Sequence, residues 1–406
     1  MEPARFVLEP APVDVHAESA RLREAGPIVP VEVEGVRAWA VTRYATLETV
    51  LTHPDLSRDI RHWALEGRRC LRPDGSLARI VAVSTMLNAE GDEHRRLRGP
   101  LTRVFSPRRV GVLRPRVEEI TARLVGRLAS IPAGPDDPVD LRAEFAHPLP
   151  FEVISDLLGI PPERRDELYE LDRVNTTTRD DDATVARARA AQDDLLGEVV
   201  AERRRAPADD LISVLVGQEG EALTTREVLD TVEEVFVAGH VTTVNLITNA
   251  TRLLLTVPGQ LDLIRSGARP WSAAVEEALR LESPIRHFPM RYAVRDVRID
   301  GVLIRKGEAV LGCHASAGRD PGRYGDRAAR FDVAAETETH LSFGLGRHFC
   351  LGAPLGRLQG EVALDALFTA FPDMALAAPP EDLRNLNTVV ALSTRTLPVR
   401  LGRRVR

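Results

Sequence analysis

With 406 residues, of which 44% are hydrophobic and 28% charged, the chain is long enough to bury an extensive core. The net charge of −6, with acidic and basic residues interspersed, argues against nucleic acid as a partner. The cysteines, Cys70, Cys313 and Cys350, form no disulfide framework, and no run of about 20 apolar residues predicts a membrane span. These features predict a cytoplasmic protein with no membrane partner.

The N-terminal part predicts a small β-rich region followed by a long basic stretch. Residues 31–34 and 36–41 alternate in polarity on either side of Gly35, as the two strands of a hairpin do. Helical periodicity follows over 44–53. Residues 55–84 are irregular and rich in arginine, and long loops of this kind are usually functional or disordered.

A helix is predicted around His94 and Arg98, which are four residues apart and therefore lie on one face. Asp92 is the candidate N-cap of this helix. Pro100 removes an N–H donor and collides with the carbonyl of Arg96, so we expect the helix to kink or stop there.

The middle of the chain predicts helices joined by polar loops. Residues 131–138 contain three prolines and indicate a surface loop. Residues 147–162 predict an apolar helix bounded by prolines, and 176–182 form a polar stretch, poor in helix formers, between two helical patterns.

A long helix is predicted to begin at the capping box of Thr224 and Glu227 and to run to 258–259, which is about 50 Å at 1.5 Å per residue. Its middle, 235–243, is apolar nearly all round, as in a buried helix, yet it contains small and hydroxyl residues that weaken it. These residues are Ala238, Gly239, Thr242 and Thr243. Close packing where two helices cross is one explanation for the small residues Ala238 and Gly239. It does not explain the position of Thr242.

Another helix is predicted over 271–282 and ends at Ser283-Pro284. It places Glu277 and Arg280 on one face at i, i+3, where an exposed salt bridge of little energetic value is the ordinary interpretation. Residues 285–292 should follow in extended form.

A glycine-punctuated loop with one cysteine, 343–352, runs directly into a helical stretch at 355–371. A thiolate is favoured at a helix N-terminus, where backbone N–H groups and the helix dipole stabilise negative charge. The glycines allow the main chain to fold tightly where a Cβ would collide with a flat cofactor. This pattern predicts that Cys350 presents its sulfur to a metal; an inert buried cysteine is the alternative.

The loop resembles the haem-ligand signature of the cytochrome P450 superfamily. It matches at the six signature positions, which are Phe343, Gly344, Gly346, His348, Cys350 and Gly352. The resemblance implies that Cys350 is the thiolate ligand of a haem iron.

The same resemblance assigns roles to other residues. His94, Arg98, Arg291 and His348 match positions that bind the haem propionates, and Phe343, Gly344 and Gly352 belong to the cofactor-binding loop. Ala238, Gly239, Thr242 and Thr243 match the oxygen-binding groove, where the threonine hydroxyl bonds the i−4 carbonyl or a water. Glu277 and Arg280 match a buried lock whose expected third member is Arg330. In the family, the stretches at 55–84 and 176–182 form the roof and the lid of the substrate pocket.

The fold implied is a single domain over 1–406, mainly α with a small β-rich region, binding haem b between the long central helix and the cysteine loop. The reaction implied is insertion of one oxygen atom from O2 into a small organic substrate, as in secondary metabolite biosynthesis. Electrons are expected from a ferredoxin and its reductase. Two alternatives stay open: a haem-thiolate enzyme of other chemistry (isomerisation, dehydration or nitration), or a catalytically silent domain that recruits partners.

Two departures bear on the mechanism and the substrate. Members of the family commonly have an acid before the groove threonine, whereas this chain has Val241, which cannot relay a proton. Cations in or near the expected roof, Arg61, His62 and Arg286, suggest an acidic substrate or one tethered to a carrier protein. A solvated basic loop is the alternative for these cations.

Overall fold

The computed structural model of the chain describes residues 5–72, 75–131, 137–177, 182–336 and 339–402. Most of two predicted loops, namely 132–136 and 178–181, lies outside these ranges. Among the described residues, no helix combines the length and the apolar character needed to span a bilayer.

Helices make up most of the described chain. Those before the long central helix are α1 (Val15–Ala25), α2 (Tyr44–Thr52), α3 (Leu65–Arg69), α4 (Ser76–Val81), α5 (Gly91–Val104), α6 (Pro107–Val112), α7 (Arg114–Ser130), α8 (Pro148–Leu158), α9 (Pro162–Thr177), α10 (Asp182–Arg205) and α11 (Leu211–Val216). The others are α12 (Thr225–Thr256), α13 (Gln260–Arg265), α14 (Trp271–Leu281), α15 (His314–Ala317), α16 (Pro321–Tyr324) and α17 (Ala353–Ala370). A π-helical turn, Arg142–Ala146, precedes α8.

The strands form one larger sheet and two small ones. They are β1 (Phe6–Val7), β2 (Ile28–Val33), β3 (Val36–Val41), β4 (Leu56–Ser57), β5 (Val139–Asp140), β6 (Phe288–Ala293), β7 (Val297–Ile299), β8 (Val302–Ile304), β9 (Ala309–Gly312), β10 (Ala375–Leu376) and β11 (Pro398–Arg400). The sheet orders are β1-β2-β3-β9-β6-β4, β10-β11-β5 and β7-β8. The predicted hairpin is confirmed, because β2 and β3 pair antiparallel around Gly35.

The predicted long helix is confirmed as α12, whose 32 residues extend about 48 Å. At its start the Thr224 hydroxyl accepts from the Glu227 N–H at 3.2 Å, and the Glu227 carboxylate accepts from the Thr224 N–H at 2.8 Å. This reciprocal capping box satisfies two N–H groups that the helix itself leaves unpaired. The helix packs against α8, α14 and α17 inside the largest buried apolar cluster.

Helix α5 differs from the sequence prediction in two ways. Its N-cap is Glu90, so Asp92 lies in the first turn and does not cap. The helix continues through Pro100 to Val104, so of the two outcomes expected at this proline, a kink or a stop, the stop is wrong. The flanking Leu97 and Leu101 are 3% and 0% exposed, and their burial in the core offsets the one backbone hydrogen bond that proline removes.

Glu277 and Arg280 form a buried pair joined by two hydrogen bonds of 2.7 Å. Arg280 also donates to the carbonyls of Gly318 and Arg330, each at 2.7 Å. The expected third member is corrected, because Arg330 contributes its carbonyl while its exposed guanidinium donates to the Asp326 carbonyl. The pair therefore ties α14 to the segment that leads toward the cysteine loop.

Gly318 allows this close approach, since a Cβ there would lie 1.9 Å from the Arg280 carbonyl oxygen. We expect Gly318→Ala to lower the free energy of unfolding by about 1–3 kcal/mol, because the backbone must shift to relieve the collision. Urea denaturation measures the change. Gly126→Ala in α7 is the matched control: nothing lies within 4 Å of its Cβ, and it should stabilise by about 0.5–1 kcal/mol. Equal effects of both substitutions would contradict the collision.

Candidate functional site

The cysteine loop is tightly folded. Gly344 and Gly346 have φ values of 70° and 72°, which are left-handed conformations that glycine adopts without strain. The Cys350 N–H donates to the Phe343 carbonyl at 2.8 Å, which closes the loop two residues before Gly352, the N-cap of α17. The Cys350 side chain is accessible, so the loop presents its sulfur instead of packing it into the core.

The space that the sulfur faces is internal. Surrounding protein raises the pKa of the Cys350 thiol, while N–H groups of Gly352 and Ala353 donate to the sulfur and oppose that rise. These donors, with the positive charges of Arg98 and Arg357, favour the thiolate. The arrangement suits a sulfur that binds a metal ion as its anion.

Side chains from α5, α14 and α17 hold the loop in place. Arg98 donates to the Phe349 carbonyl at 2.8 Å, and Arg357 lies over the Phe343 ring at 4.5 Å. Glu276 of α14 accepts from Arg357 at 2.6 and 3.0 Å, and it contacts His340 at 3.1 Å. The segments on either side of the loop are thus bound to one carboxylate.

The middle of α12 is open on one side. Glu234, Val237, Ala238 and Thr242 are not fully buried, and their spacing of three or four residues places them together. We call these four residues the open stripe. The Thr242 hydroxyl donates to the Ala238 carbonyl at 3.0 Å, which is the i−4 geometry expected from its position.

The other two groove candidates face neighbouring helices. A Cβ on Gly239 would lie 2.5 Å from Ile154 of α8, so glycine permits this helix crossing. Thr243 is 5% exposed, and its hydroxyl lies 3.9 Å from the Cβ position of Gly356 in α17. Of the predicted groove residues, the structure therefore places Ala238 and Thr242 on the open stripe, while Gly239 and Thr243 pack.

Beside the loop, basic side chains converge on Glu90. Its carboxylate contacts Arg347 at 3.1 Å, His348 at 3.2 Å and Arg291 at 3.9 Å, and accepts from the Arg58 N–H at 3.1 Å. Burial alone would raise the pKa of Glu90, but the His348 hydrogen bond, then the charge of His348, and the other partners lower it to about 2. Glu90 is therefore ionised and binds the cluster together.

The cluster keeps unused donors. His94 is 5% exposed and its ring lies 4.5 Å from that of His348, yet its Nε2 has no partner among the residues described here. The same holds for Nε of Arg58, whose guanidinium lies over the Phe288 ring at 4.5 Å. Burial lowers the pKa of Arg58 to about 9 and that of Arg291 to about 10. Excess buried cations with unsatisfied donors fit a ligand that carries carboxylates.

Three residues of the site were not singled out in the sequence. Arg58 was only one of many arginines in the basic stretch, and no local pattern distinguishes it. Glu90 precedes His94 by four residues, and this helical spacing could have indicated a partner. Glu234 precedes Thr242 by eight residues, so helical periodicity could have placed it on the same face.

The side of α12 that faces α9 borders a second cavity, of about 150 Å3, that Val241 lines together with Asp140, Arg142, Arg173 and Arg395. Near it, the buried carboxylate of Asp172 contacts His147 at 2.7 Å and His240 at 2.9 Å. Burial alone would raise the pKa of Asp172, but the charge of His240 and the bonds from both histidines hold it below its usual range. This ion-pair cluster ties α12 to α9. Val241 borders the cavity together with Arg142, Arg173 and Arg395.

The cations expected to meet an acidic substrate do not converge. Arg286 is 1% exposed and paired with Glu18 at 2.6 Å, so its expected role at the substrate is wrong. The Arg61 side chain is 72% exposed and is bound to Asp59 and Glu93, and His62 is exposed. These observations favour the solvated basic loop.

A mainly helical chain with a small sheet, an accessible cysteine sulfur at a helix start and a buried cationic cluster beside it has the character of a thiolate metalloenzyme. Comparison with known proteins gives the family. The family model "Cytochrome P450" matches residues 271–395. The chain is 36% identical over 400 residues to the 2-hydroxy-5-methyl-1-naphthoate 7-hydroxylase of Streptomyces carzinostaticus, covering 98% of this chain and 97% of that protein.

Two further relatives agree with this match. The cytochrome P450 monooxygenase PikC of Streptomyces venezuelae is 37% identical, covering 96% of this chain and 92% of that protein. The solved structure of CYP154A1 from Streptomyces coelicolor is 42% identical with a TM-score of 0.90, covering 98% of this chain and 100% of that one. The chain therefore belongs to the cytochrome P450 family and is a monooxygenase, an oxidoreductase with a haem-thiolate cofactor.

We expect Glu90→Gln to lower the free energy of unfolding by about 2 kcal/mol near neutral pH, because buried Arg58 and Arg291 lose their counter-charge. Since the pKa of Glu90 falls from 4.5 to about 2 on folding, its stabilisation is fully present above its unfolded pKa and is lost as pH falls toward 2. The deficit of the variant should therefore shrink on acidification. Urea titrations measure it, with the more exposed Glu93→Gln as control, and a deficit that is the same at all pH values would contradict this role.

Proposed function

We propose that the chain inserts one oxygen atom from O2 into a small organic substrate, in one domain over 1–406, with haem b bound through the Cys350 thiolate. The observation that carries this proposal is the accessible Cys350 sulfur, which receives two backbone N–H groups at the start of α17. When bound, the haem supplies oxygen activation, and a thiolate ligand favours cleavage of the O–O bond.

The cationic cluster is proposed to hold the two haem carboxylates. His94 and Arg98 of α5, Arg291 of β6 and His348 of the cysteine loop come from three separate segments. The donors of His94 and Arg58 that have no partner among the described residues lie in this cluster. Phe343, Gly344 and Gly352 shape the loop, and the absence of a Cβ at the glycines leaves room for a flat ring. Arg58 is the one addition to the residues expected from the sequence.

Thr242, on the open stripe, is proposed to take part in proton delivery during oxygen activation. Its hydroxyl donates to the Ala238 carbonyl, which leaves its lone pairs available to accept from a water. The residue before Thr242 is Val241, which has no acidic group. Val241 lines the second cavity together with Arg142, Arg173 and Arg395. Proton delivery then depends on the Thr242 hydroxyl and ordered water, or on a hydroxyl of the substrate.

Electrons are proposed to come from a ferredoxin and its reductase. Arg98 joins α5 to the cysteine loop, and α6 packs against α17, so the exposed Arg103, Arg108 and Arg109 belong to helices that contact the loop or the helix that follows it. Such a basic surface suits an acidic electron carrier. The proposed substrate is a secondary metabolite of a cytoplasmic pathway, taken free or on a carrier protein.

We expect the reduced carbonyl complex of the haem-loaded protein to absorb at the long wavelength that marks thiolate ligation, and Cys350→Ala to abolish that band. Cys70→Ala and Cys313→Ala are the controls, since Cys70 lies in the basic stretch and Cys313 is fully buried in the sheet region. Both controls should keep the band. Its survival in Cys350→Ala would refute the ligand assignment.

We expect Thr242→Ala to uncouple the reaction, so that most NADH is spent on hydrogen peroxide instead of product, because no neighbouring acid compensates. A loss of about tenfold or more in coupling is expected. Val241→Asp should be tolerated, since its carboxylate would meet Arg142 and Arg173. It should also speed oxygen consumption, because it places an acid next to Thr242 in the sequence. Product and peroxide yields per NADH measure both effects. Full coupling in Thr242→Ala, with product lost in Val241→Asp, would show that the groove is not a conventional proton relay.

A further inference from the structure

Glu234 is a carboxylate on the apolar central helix that the mechanism does not use. It lies on the open stripe, four residues before Ala238 and eight before Thr242, so helical geometry directs it to the same side. Its Oε2 is buried and has no hydrogen-bond partner in the described part of the chain. The Thr85 side chain supplies a hydrogen bond to this carboxylate.

An unpaired carboxylate in such a place is costly, because burial removes water without supplying a counter-charge. Burial accordingly raises the pKa of Glu234 to about 7, although Thr85 and the positive charge of Arg58 oppose the rise. The pKa of the adjacent Glu233 is also raised to about 7, first by burial and then by Asp193 and Asp230.

The charged groups around Glu234 do not neutralise it. Arg58 donates to the Leu87 carbonyl and lies over the Phe288 ring, and Arg98 donates to the Phe349 carbonyl. Asp230 adds negative charge and is bound to Arg226 at 2.7 Å. Beyond burial, the pKa of Glu233 is raised by Asp193 and Asp230 and is lowered by Arg226 and Arg79. Arg226 is therefore engaged by Asp230, and Oε2 of Glu234 has no partner among the described residues.

We propose that Glu234 binds a protonated basic nitrogen of the substrate, so that this monooxygenase acts on an amine-bearing molecule. The proposal deepens the proposed function and rests on it, because it takes the open stripe to face the substrate. A lone carboxylate with one hydroxyl offers too few ligands for a metal ion, whereas an ammonium group needs one counter-charge and a few acceptors. An acidic substrate would meet a like charge here.

The position of Glu234 also limits where oxidation occurs. Eight residues separate it from Thr242, which is about 12 Å along the helix axis. The nitrogen is therefore held at a distance from the groove, and the oxidised carbon lies several bonds away from it. Oxidation at the nitrogen or at the carbon next to it does not fit this geometry.

The test compares three ligands that share one scaffold and differ in charge: phenylbutyltrimethylammonium, phenylbutanol and phenylbutanoate. The quaternary nitrogen has no lone pair, so it cannot bind the haem iron. Calorimetry of the haem-loaded protein at about pH 8, where Glu234 is mostly ionised, should show the cation binding about tenfold or more tightly than the other two. At about pH 6 the cation should bind more weakly and release a proton, because Glu234 is then mostly protonated.

Glu234→Gln should remove the preference for the cation, its pH dependence and the proton release, while leaving the affinity for phenylbutanol within about twofold. Glu167→Gln, an exposed position on α9, makes the same change in net charge and should leave all three unchanged. The idea is refuted if the cation does not bind at millimolar concentration, if phenylbutanoate binds as well as the cation, or if Glu234→Gln keeps the preference. Proton release is measured on the wild-type protein, so this part of the test stands even if Glu234→Gln does not fold. The carbonyl band tests the Cys350 ligand, so a failure of the proposed function is distinguished from a failure of the role of Glu234.

Discussion

The buried pair of Glu277 and Arg280 is the constraint on which the site depends. Two charges taken out of water must have all their partners, since losing one leaves the other unpaired at a cost of about 3–5 kcal/mol. Arg280 reaches the carbonyls of Gly318 and Arg330, and Glu277 accepts from the Asp332 N–H at 3.0 Å. One residue away, Glu276 binds His340 and Arg357, which flank the cysteine loop. Helix α14 thus determines where the Cys350 sulfur lies.

Two carboxylates near the site show how partners decide the role of a residue type. Glu90 is ionised, with a pKa lowered to about 2, because hydrogen bonds and cations surround it. Glu234 receives a hydrogen bond from the Thr85 hydroxyl, its Oε2 has no partner among the described residues, and burial raises its pKa to about 7. The first carboxylate completes an internal network, whereas the second has bonding capacity left for a ligand.

Helix α12 combines a fixed side with an open one. His240 pairs with Asp172, and Gly239 lets Ile154 of α8 approach, so the helix is held by charge and by close packing. The open stripe is left without such partners. Val241 lies between these two environments, where it lines the cavity that Arg142 and Arg173 border.

Local spacing in the sequence determined the boundaries of α12 and α14 to within a few residues, the hairpin, the capping box of Thr224 and the cysteine loop, because each depends on residues a few positions apart. It also placed Glu277 beside Arg280. Only the tertiary structure decided which charges are buried and with what partner. Arg286 pairs with Glu18, which is 268 residues away, so a cation expected at the substrate proved structural. Pro100 stays inside a helix because core packing outweighs one lost hydrogen bond. Glu234 is distinctive because its Oε2 has no hydrogen-bond partner among the described residues. Burial and distant partners are set by chain folding, and no short sequence pattern encodes them.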